Sequence, residues 1–189
     1  MNPVTQELTT DLRPAPLATT ILVGNPRRAS RTLDVACRVA AQLRHDLDAA
    51  GLPLTDPGLV DLSLLGPALA DWGTTRPEVG AASRSVCRSR LLLVASPTFK
   101  ASYAGLLKVF FDQLPRRALA GVVAVPVMTA ASVAHAFAVD HCLRPVLVEL
   151  GAAVPVPGLT VLEAEFDSAE PLRRWSAAST PVLSAVLAG

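Results

Sequence analysis

Short apolar runs that stop at polar loops alternate along this chain with stretches of helical periodicity. The runs lie within "TTILVG" (19–24), "GLVDLSLL" (58–65), "LLLVA" (91–95), "GVVAVPVM" (121–128) and "AVPVPGLTVL" (153–162). Runs that are apolar at nearly every position are typical of strands buried on both faces, as in a parallel sheet. Parallel strands need crossover connections, so we expect helices on both faces of the sheet.

Helical periodicity fills the intervals between these strands. The patterns predict helices at 33–50, 77–88, 103–114, 132–150 and 168–187. Alternating strands and helices predict an α/β fold, a flavodoxin-like three-layer sandwich whose five-stranded parallel sheet has the order 2-1-3-4-5. Such sheets bind ligands beyond the carboxyl ends of the strands, at the switch point between strands one and three.

Composition narrows the class of protein. We expect one domain at 18–189 after a flexible arm at 1–17. Charged residues make up 17% and the formal net charge is +1, so neither nucleic acid nor a membrane surface is an expected partner. No secretory leader is recognisable, and Pro126 and later polar residues interrupt the most apolar stretch (118–139), which we interpret as a strand, a loop and a helix start.

The cysteines favour a reducing compartment. Cys37, Cys87 and Cys142 have neither metal-ligand nor disulfide spacing. We therefore expect free thiols, a cytoplasmic location and no metal site.

The loop after the first strand carries polar side chains directly ahead of a helix. It offers Asn25, Arg27, Ser30 and Thr32, and a helix start adds unpaired backbone N–H groups and a partial positive charge. Hydroxyls and a guanidinium beside such a start would hold a phosphate. A capping loop with solvated arginines uses the same residues, so both interpretations stay open. The glycine patterns of dinucleotide-binding and P-loop proteins are absent.

Two further polar loops follow strands three and four. In "SPTFKASYAG" a proline stiffens the turn, backbone amides could face a planar heterocycle, and Phe99 could pack on its edge. In "MTAASVAH" Thr129 and Ser132 could donate to a ring edge. Helix capping is the alternative role for Ser102, Thr129 and Ser132, and a solvated side chain is the alternative for Lys100. No nucleophile–base pair is recognisable, so no catalytic side chain is expected.

These three loops resemble one known family. "GNPRRASRT", "SPTFKASYAGLLKVFFDQLP" and "MTAASVAHAFAVDHCLRPVLVELGA" resemble the NAD(P)H-dependent FMN reductases of flavodoxin-like fold. The branch with the closest resemblance serves two-component sulfonate monooxygenases. The resemblance covers about 19–162, and the three motifs occur in the family's order.

The resemblance implies a role for each loop. The first, roughly G-S-x-R-x-x-S-x-[STN] in the family, would hold the FMN phosphate. The second, P-x-[YF]-x-x-S-x-x-G, would wrap the isoalloxazine, and the third, usually T-G-G-S, would touch the far edge of the ring. The expected cofactor-binding residues are Asn25, Arg27, Ser30, Thr32, Pro97, Thr98, Phe99, Lys100, Ser102, Tyr103, Thr129 and Ser132.

The chain departs from the family's patterns at three positions. Asn25 replaces the usual serine, and Ala130 and Ala131 replace the two glycines. If either glycine position needs a positive φ, alanine costs on the order of 1 kcal/mol there or forces a different loop.

The activity implied by the resemblance is that of an NAD(P)H:FMN oxidoreductase. Such an enzyme uses NADPH or NADH, transfers hydride directly to FMN and supplies reduced FMN to a partner monooxygenase. An FMN-containing quinone, azo-dye or metal reductase is an alternative. A non-catalytic flavin-binding redox protein is a second alternative, which the Ala130–Ala131 departure favours.

The stretch 133–150 predicts an interface between subunits. Its apolar residues lie on more than one helix face, which needs cover on both sides. Pro145 has no N–H and its ring clashes with the carbonyl of His141, so a kink or π-bulge is expected there. The reductases that this chain resembles are dimers or tetramers. We therefore expect a homo-oligomer, taken as a homotetramer, with His141 near the flavin site of a neighbouring subunit.

Overall fold

A parallel sheet forms the centre of the molecule. The computed structural model describes residues 14–71 and 76–189. Its strands are β1 (Thr19–Val23), β2 (Gly58–Asp61), β3 (Leu91–Phe99), β4 (Ser102–Tyr103), β5 (Val123–Ala130) and β6 (Leu159–Leu162). The parallel order is β2-β1-β3-β5-β6, and β4 pairs antiparallel with the end of β3. Leaving β4 aside, this is the order 2-1-3-4-5, so the predicted flavodoxin-like fold is confirmed.

Helices cover both faces of this sheet. They are α1 (Arg31–Ala49), α2 (Gly66–Leu69), α3 (Pro77–Cys87), α4 (Gly105–Asp112), α5 (Arg144–Glu149) and α6 (Glu170–Ala188). Short 3₁₀ turns follow β2, β5 and β6. The described helices include none long and apolar enough to cross a membrane.

Successive residues of the central strands enter two separate cores. Leu22 packs in a cluster with Phe110 of α4, whereas the next residue, Val23, packs in a cluster with Leu47 of α1. This follows from the strand geometry, in which consecutive side chains point to opposite faces. Because both faces are buried, the strands read as continuous apolar runs and not as alternating ones.

The third strand is longer than predicted. β3 continues through Ser96 to Phe99, which the sequence analysis assigned to a loop. Its last residues bond to β4 across a tight turn at Lys100 and Ala101. This hairpin delays the following helix, which begins at Gly105 and not at Tyr103. The capping role considered for Ser102 is therefore wrong, because the residue that precedes α4 is Ala104.

The stretch predicted as one helix at 132–150 is broken. A 3₁₀ turn (Val133–His135), a π-helical segment (Val139–Leu143) and α5 follow one another. Pro145 stands near the start of α5. The predicted π-bulge at His141 is confirmed, and it has the expected cause, a proline that cannot donate to the preceding turn.

The chain ends and connections differ less from expectation. Residues 1–13 of the predicted arm lie outside the described residues, and Leu17 already pairs with Leu54. The loop predicted after β2 contains the short helix α2, and 72–75 lie outside the described residues. The predicted helices at 33–50, 77–88 and 168–187 agree with α1, α3 and α6 to within two residues.

Candidate functional site

A cleft of about 350 Å³ lies at the carboxyl edge of the sheet. The loops after β1 and β6 and the carboxyl ends of β3 and β5 form it. Its lining residues are Asn25, Arg27, Arg28, Ala29, Ser30, Arg31, Thr32, Pro97, Phe99, Thr129, Glu163 and Phe166.

Seven of the twelve residues expected to bind the cofactor line this cleft. They are Asn25, Arg27, Ser30, Thr32, Pro97, Phe99 and Thr129. The other five are Thr98, Lys100, Ser102, Tyr103 and Ser132, which lie in the adjoining strands and turns. Their role in binding a cofactor stays a prediction.

The loop after β1 both caps α1 and leaves donors free. The Ser30 hydroxyl accepts a hydrogen bond from the backbone N–H of Leu33 at 3.3 Å. The N–H groups of Arg31 and Thr32 are not used by the helix and have no acceptor among the described residues. Ala29 has φ 47°, an unusual value for a residue with a Cβ. The two interpretations of this loop are thus compatible, since capping takes one donor and leaves others for an anion.

Gly24 allows this loop to lie against the helix that follows β3. A Cβ at position 24 would come within 2.6 Å of the Leu107 Cβ in α4. The Gly24 N–H donates to the Ala95 carbonyl at 2.8 Å, which fixes the end of β1 beside β3. The glycine therefore lets the first loop pack closely against α4, beside the end of β3.

Buried polar side chains join the first loop to β5. Asn25 Nδ2 donates to Thr32 Oγ1 at 3.0 Å, and the Thr32 and Thr129 hydroxyls lie 3.0 Å apart. Asn25 Oδ1 accepts from the Arg27 N–H at 2.9 Å, which holds the loop in an Asx-turn. Thr129 thus lies beside the first turn of α1.

The second loop is a strained hairpin. Lys100 and Ala101, its two turn residues, have φ values of 52° and 61°. A two-residue turn with both residues in this region is the type I′ geometry, which ordinarily takes Asn-Gly. Phe99 lies at its base and is 44% exposed. The hairpin therefore holds an aromatic side chain over the cleft at some cost in backbone strain.

Several polar side chains next to the hairpin are wholly or partly buried. The buried Ser96 hydroxyl donates to the Pro97 carbonyl and accepts from the Ala104 N–H, both at 2.9 Å. The Thr98 hydroxyl is buried and has no partner among the described residues. Burial, the largest influence, raises the pKa of Tyr103 above its usual value. Tyr103 therefore keeps its proton at neutral pH.

The third loop accommodates its alanines without strain. Ala130 ends β5 and Ala131 is exposed, and neither residue is among those with a positive φ. The conformational cost considered for these two positions therefore does not arise. Ser132 accepts from the Ala134 N–H at 3.2 Å and so caps the 3₁₀ turn, the alternative role considered for it.

The loop after β6 adds residues that the sequence analysis missed. Glu163 and Phe166 line the cleft, and the Arg31 guanidinium lies 5.5 Å from the centre of the Phe166 ring. Arg38 donates to the carbonyls of Phe166 and Ser168, the latter at 2.7 Å, and thereby ties this loop to α1. The parallel sheet itself was the available signal, because the loop after every parallel strand reaches the same edge.

The lining residues fit a flavin mononucleotide. Arg27, Ser30 and the free amides of α1 suit an anionic phosphate. Phe99 and Pro97 offer apolar surface to a planar ring, and the unpartnered Thr98 hydroxyl lies next to them in the chain. The described residues contain no cluster of side chains able to hold a metal ion.

A larger cavity of about 760 Å³ lies elsewhere, between α1 and the β2 edge. Cys37, His45 and Leu59 are among the residues that line it. Cys37 is an exposed residue, but partial desolvation of its thiol, together with the nearby Asp34 carboxylate, raises the pKa of the thiol above its usual value. This cavity lies away from the loops that carry the family's motifs, whereas seven of the expected cofactor-binding residues line the smaller cleft, which is therefore the candidate flavin site.

Comparison with known proteins identifies the family of the chain. The family profile described as NADPH-dependent FMN reductase matches residues 18–167. The FMN reductase (NADPH) of Pseudomonas aeruginosa is 34% identical over 84% of this chain and 86% of its own length. The NADH-dependent FMN reductase SfnF of Pseudomonas fluorescens is 34% identical over 84% of this chain and 85% of its own length. The FMN reductase (NADPH) of Pseudomonas putida is 38% identical, but over only 50% of this chain and 48% of its own length.

Solved structures show the same fold. The apo form of the NADH:FMN oxidoreductase EmoB superposes with a TM-score of 0.76 at 30% identity, covering 87% of this chain and 89% of that one. An oxidoreductase from Corynebacterium diphtheriae gives a TM-score of 0.80 at 27% identity, covering 91% and 97%. The predictions of family, of enzyme class, and of FMN with NADPH or NADH as cofactors are confirmed. The chain belongs to the NADPH-dependent FMN reductase family.

Proposed function

We propose that this protein oxidises NADPH or NADH, reduces free FMN, and releases the reduced flavin to a partner monooxygenase in the cytoplasm. The observation that carries the proposal is one cleft with two kinds of surface. Phosphate-holding groups of the first loop and the flat apolar surface at Phe99 meet there, with no hydrogen-bonded acid–base pair among the lining residues.

The residues of the cleft bind and orient, and they do not transfer protons. Arg27 and the α1 amides would hold the phosphate, while Phe99 would border the ring. When bound, FMN supplies the hydride acceptor, so catalysis needs orientation of the two reactants above all. The raised pKa of Tyr103 keeps a neutral phenol behind the hairpin, which adds no charge beside the ring.

The proposal of a partner monooxygenase rests on the resemblance of the three loops to reductases of two-component systems. The pyridine nucleotide is open between two candidates, since equally identical relatives are named for NADPH and for NADH. Both nucleotides are available in the cytoplasm. The three cysteines are free in the structure, and thiols stay reduced in that compartment.

Steady-state oxidation of NADPH and NADH tests the reaction. We expect turnover that depends on free FMN at micromolar concentration, with flavin released between turnovers. Turnover of a quinone, azo dye or metal ion without added FMN would instead indicate a prosthetic flavin. Binding of FMN without any turnover would indicate a non-catalytic flavin protein. A coupled assay with a flavin-dependent monooxygenase then tests the transfer of reduced flavin.

We also propose a homo-oligomer built around 133–150, with a tetramer as the expected state. Val133 is 72% exposed and Phe137 is 47% exposed, although both are large and apolar. His141 lies on the same surface, its ring edge-on to Phe137 at 5.9 Å. The Cys142 thiol donates to the Ala101 carbonyl at 3.5 Å, so the π-helical segment also contacts the hairpin between β3 and β4. A neighbouring subunit that covers this surface would place its own His141 near the cleft.

Light scattering at micromolar concentration measures this assembly. We expect about four times the chain mass of 19.7 kDa, and a lower mass for Phe137→Glu, because a buried unpaired carboxylate is costly. Val182→Glu is the matched control, since Val182 is similarly exposed at 43% but lies on α6. A mass of one chain for the unchanged protein would refute the interface.

A further inference from the structure

Three polar side chains lie buried in a row between the first loop and β5. Asn25, Thr32 and Thr129 are 7%, 2% and 6% exposed. Hydrogen-bond distances of 3.0 Å separate each from the next. All three line the cleft, Asn25 and Thr32 from the first loop and α1, and Thr129 from the end of β5.

The direction of each hydrogen bond in this row can be deduced. The Arg27 N–H can only donate, so the Asn25 atom that receives it must be the oxygen. The remaining atom of the amide is Nδ2, which can only donate, and Thr32 Oγ1 must accept from it. The backbone turn thus fixes the amide, which in turn fixes one role of the Thr32 hydroxyl.

The single proton of Thr32 then determines the role of Thr129. Among the described residues, Thr129 Oγ1 is the acceptor within reach of that proton. In either direction one of the two hydroxyl protons has no acceptor among the described residues, and Thr129, 6% exposed against 2% for Thr32, is better placed to turn that proton into the cleft. Buried hydroxyls rarely stay unsatisfied, so Thr32 donates to Thr129.

We infer that Thr129 directs its own hydroxyl proton into the cleft, as a donor to an oxygen on the phosphate–ribityl tail of FMN. This inference rests on the proposed function. Thr129 lies 3.0 Å from Thr32 in the first turn of α1, beside the phosphate-holding groups and not at the hairpin that borders the ring. Asn25, which also lines the cleft, is then a positioning residue as well, because its Nδ2 fixes the role of the Thr32 hydroxyl. The resemblance alone would have assigned Thr129 to the far edge of the ring.

Equilibrium binding with flavins of different length tests the donor. Fluorescence quenching gives Kd for FMN, for riboflavin, which lacks the phosphate, and for lumiflavin, which lacks the whole tail. Thr129→Val keeps the shape of the side chain and should weaken FMN about tenfold, while leaving lumiflavin unchanged. Thr129→Ser, which keeps the hydroxyl, should bind FMN like the unchanged protein. An equal loss for lumiflavin, or no loss for FMN, would overturn the inference.

Riboflavin separates the two parts of the tail. If Thr129→Val weakens riboflavin as well, the acceptor lies on the ribityl chain. If riboflavin binding is unaffected while FMN is weakened, the acceptor is a phosphate oxygen. Both results support a donor to the tail, and each identifies the part of the tail that accepts the hydrogen bond.

Coupling between the two residues tests the positioning role. Asn25→Ser retains an oxygen for the Arg27 N–H but removes the Nδ2 donor to Thr32. As a single substitution it should weaken FMN binding about threefold in Kd. Combined with Thr129→Val, it should cause no further loss beyond that of Thr129→Val alone. Losses that add independently would mean that Asn25 acts only on the loop, which would refute the relay. Thermal melting of each variant without ligand shows whether the fold is retained.

The outcomes also separate this inference from the proposed function. If the unchanged protein fails to bind FMN, both are refuted together. If it binds FMN and Thr129→Val binds equally well, only the donor role of Thr129 is refuted, and the reductase proposal stands.

Discussion

The two walls of the cleft are built on opposite principles. The polar wall is the first loop (24–32) with Thr129. Its Asn25, Thr32 and Thr129 side chains are buried and hydrogen-bonded in a row, while its three arginines are exposed. The apolar wall is the end of β3 with the hairpin (97–102), where Phe99 is 44% exposed and the turn is strained; the exposed segment 133–137 lies outside the cleft lining. The same edge of one sheet supports both walls.

The difference corresponds to what each wall has to do. The polar wall is ready before a ligand arrives, so little of the binding free energy goes into ordering it. The apolar wall must admit a second reactant and, under our proposal, a neighbouring subunit. We therefore expect variants of the polar wall to change affinity for the flavin tail. Variants of the apolar wall should change stability or assembly.

The largest effect is expected at Gly24 of the polar wall, where the first loop packs against α4. Gly24→Ala places a Cβ 2.6 Å from the Leu107 Cβ, which is not the flexible end of that side chain. Either α4 or the first loop must shift, at a cost of about 3 kcal/mol in the free energy of unfolding. Thermal or urea unfolding measures this. Gly105→Ala is the matched control, because its Cβ would meet nothing within 4 Å. Equal stability of the two variants would contradict the close approach.

The second-largest effect is expected from removing a charge from the polar wall. Arg27→Ala should weaken FMN by about 2 kcal/mol, roughly thirtyfold in Kd, if its guanidinium bonds the phosphate. Lumiflavin binding should not change, which is the signature of a contact to the tail. Arg174→Ala removes an arginine from α6, away from the cleft, and should leave both constants unchanged. An unaltered Kd for FMN would remove Arg27 from the site.

The strain of the apolar wall can be relieved by one substitution. Ala101→Gly suits the φ of 61° and the second turn position of a type I′ hairpin. We expect a gain of about 1 kcal/mol, or roughly 2–4 °C in Tm. Ala136→Gly is the contrasting variant, since Ala136 has φ −60° and should lose stability instead. A loss at position 101 would mean that its methyl group contributes packing that outweighs the strain.

The smallest effect is expected for Ala131→Gly. Because Ala131 does not have a positive φ, glycine relieves no strain there. We expect an FMN affinity that is unchanged or slightly higher, within about threefold in Kd. Equilibrium titration with FMN measures the change. A clear loss of affinity would show that this loop depends on the restriction that alanine imposes.

Much of this molecule follows from its sequence. The apolar runs predicted the strands because both faces of a parallel sheet are buried, and the alternation of strands with helices predicted the flavodoxin-like order. Pro145 predicted the π-helical segment because a missing N–H has a local and obligatory consequence. Predictions of this kind depend on a few neighbouring residues alone.

The features that were missed depend on contacts between distant residues. "SPTF" has no strand signal of its own, and β3 continues through it because β5 supplies partners as far as Pro97 and Thr129. Glu163 and Phe166 belong to no motif and enter the cleft because Arg38 holds their loop against α1. The row from Asn25 to Thr129 joins positions 97 residues or more apart, which no local pattern encodes.

The length of β3, nine residues, has a consequence for local and global unfolding of the molecule. β3 is paired on both sides, whereas β2 and β6 are four-residue edge strands. Amide protons in the middle of β3 should therefore exchange with solvent only through global unfolding, while those of the hairpin and of 133–137 exchange through small local openings. The floor of the cleft and its rim would then open with very different free energies. A flavin that enters and leaves at every turnover needs only the rim to open, and the sheet beneath it stays closed.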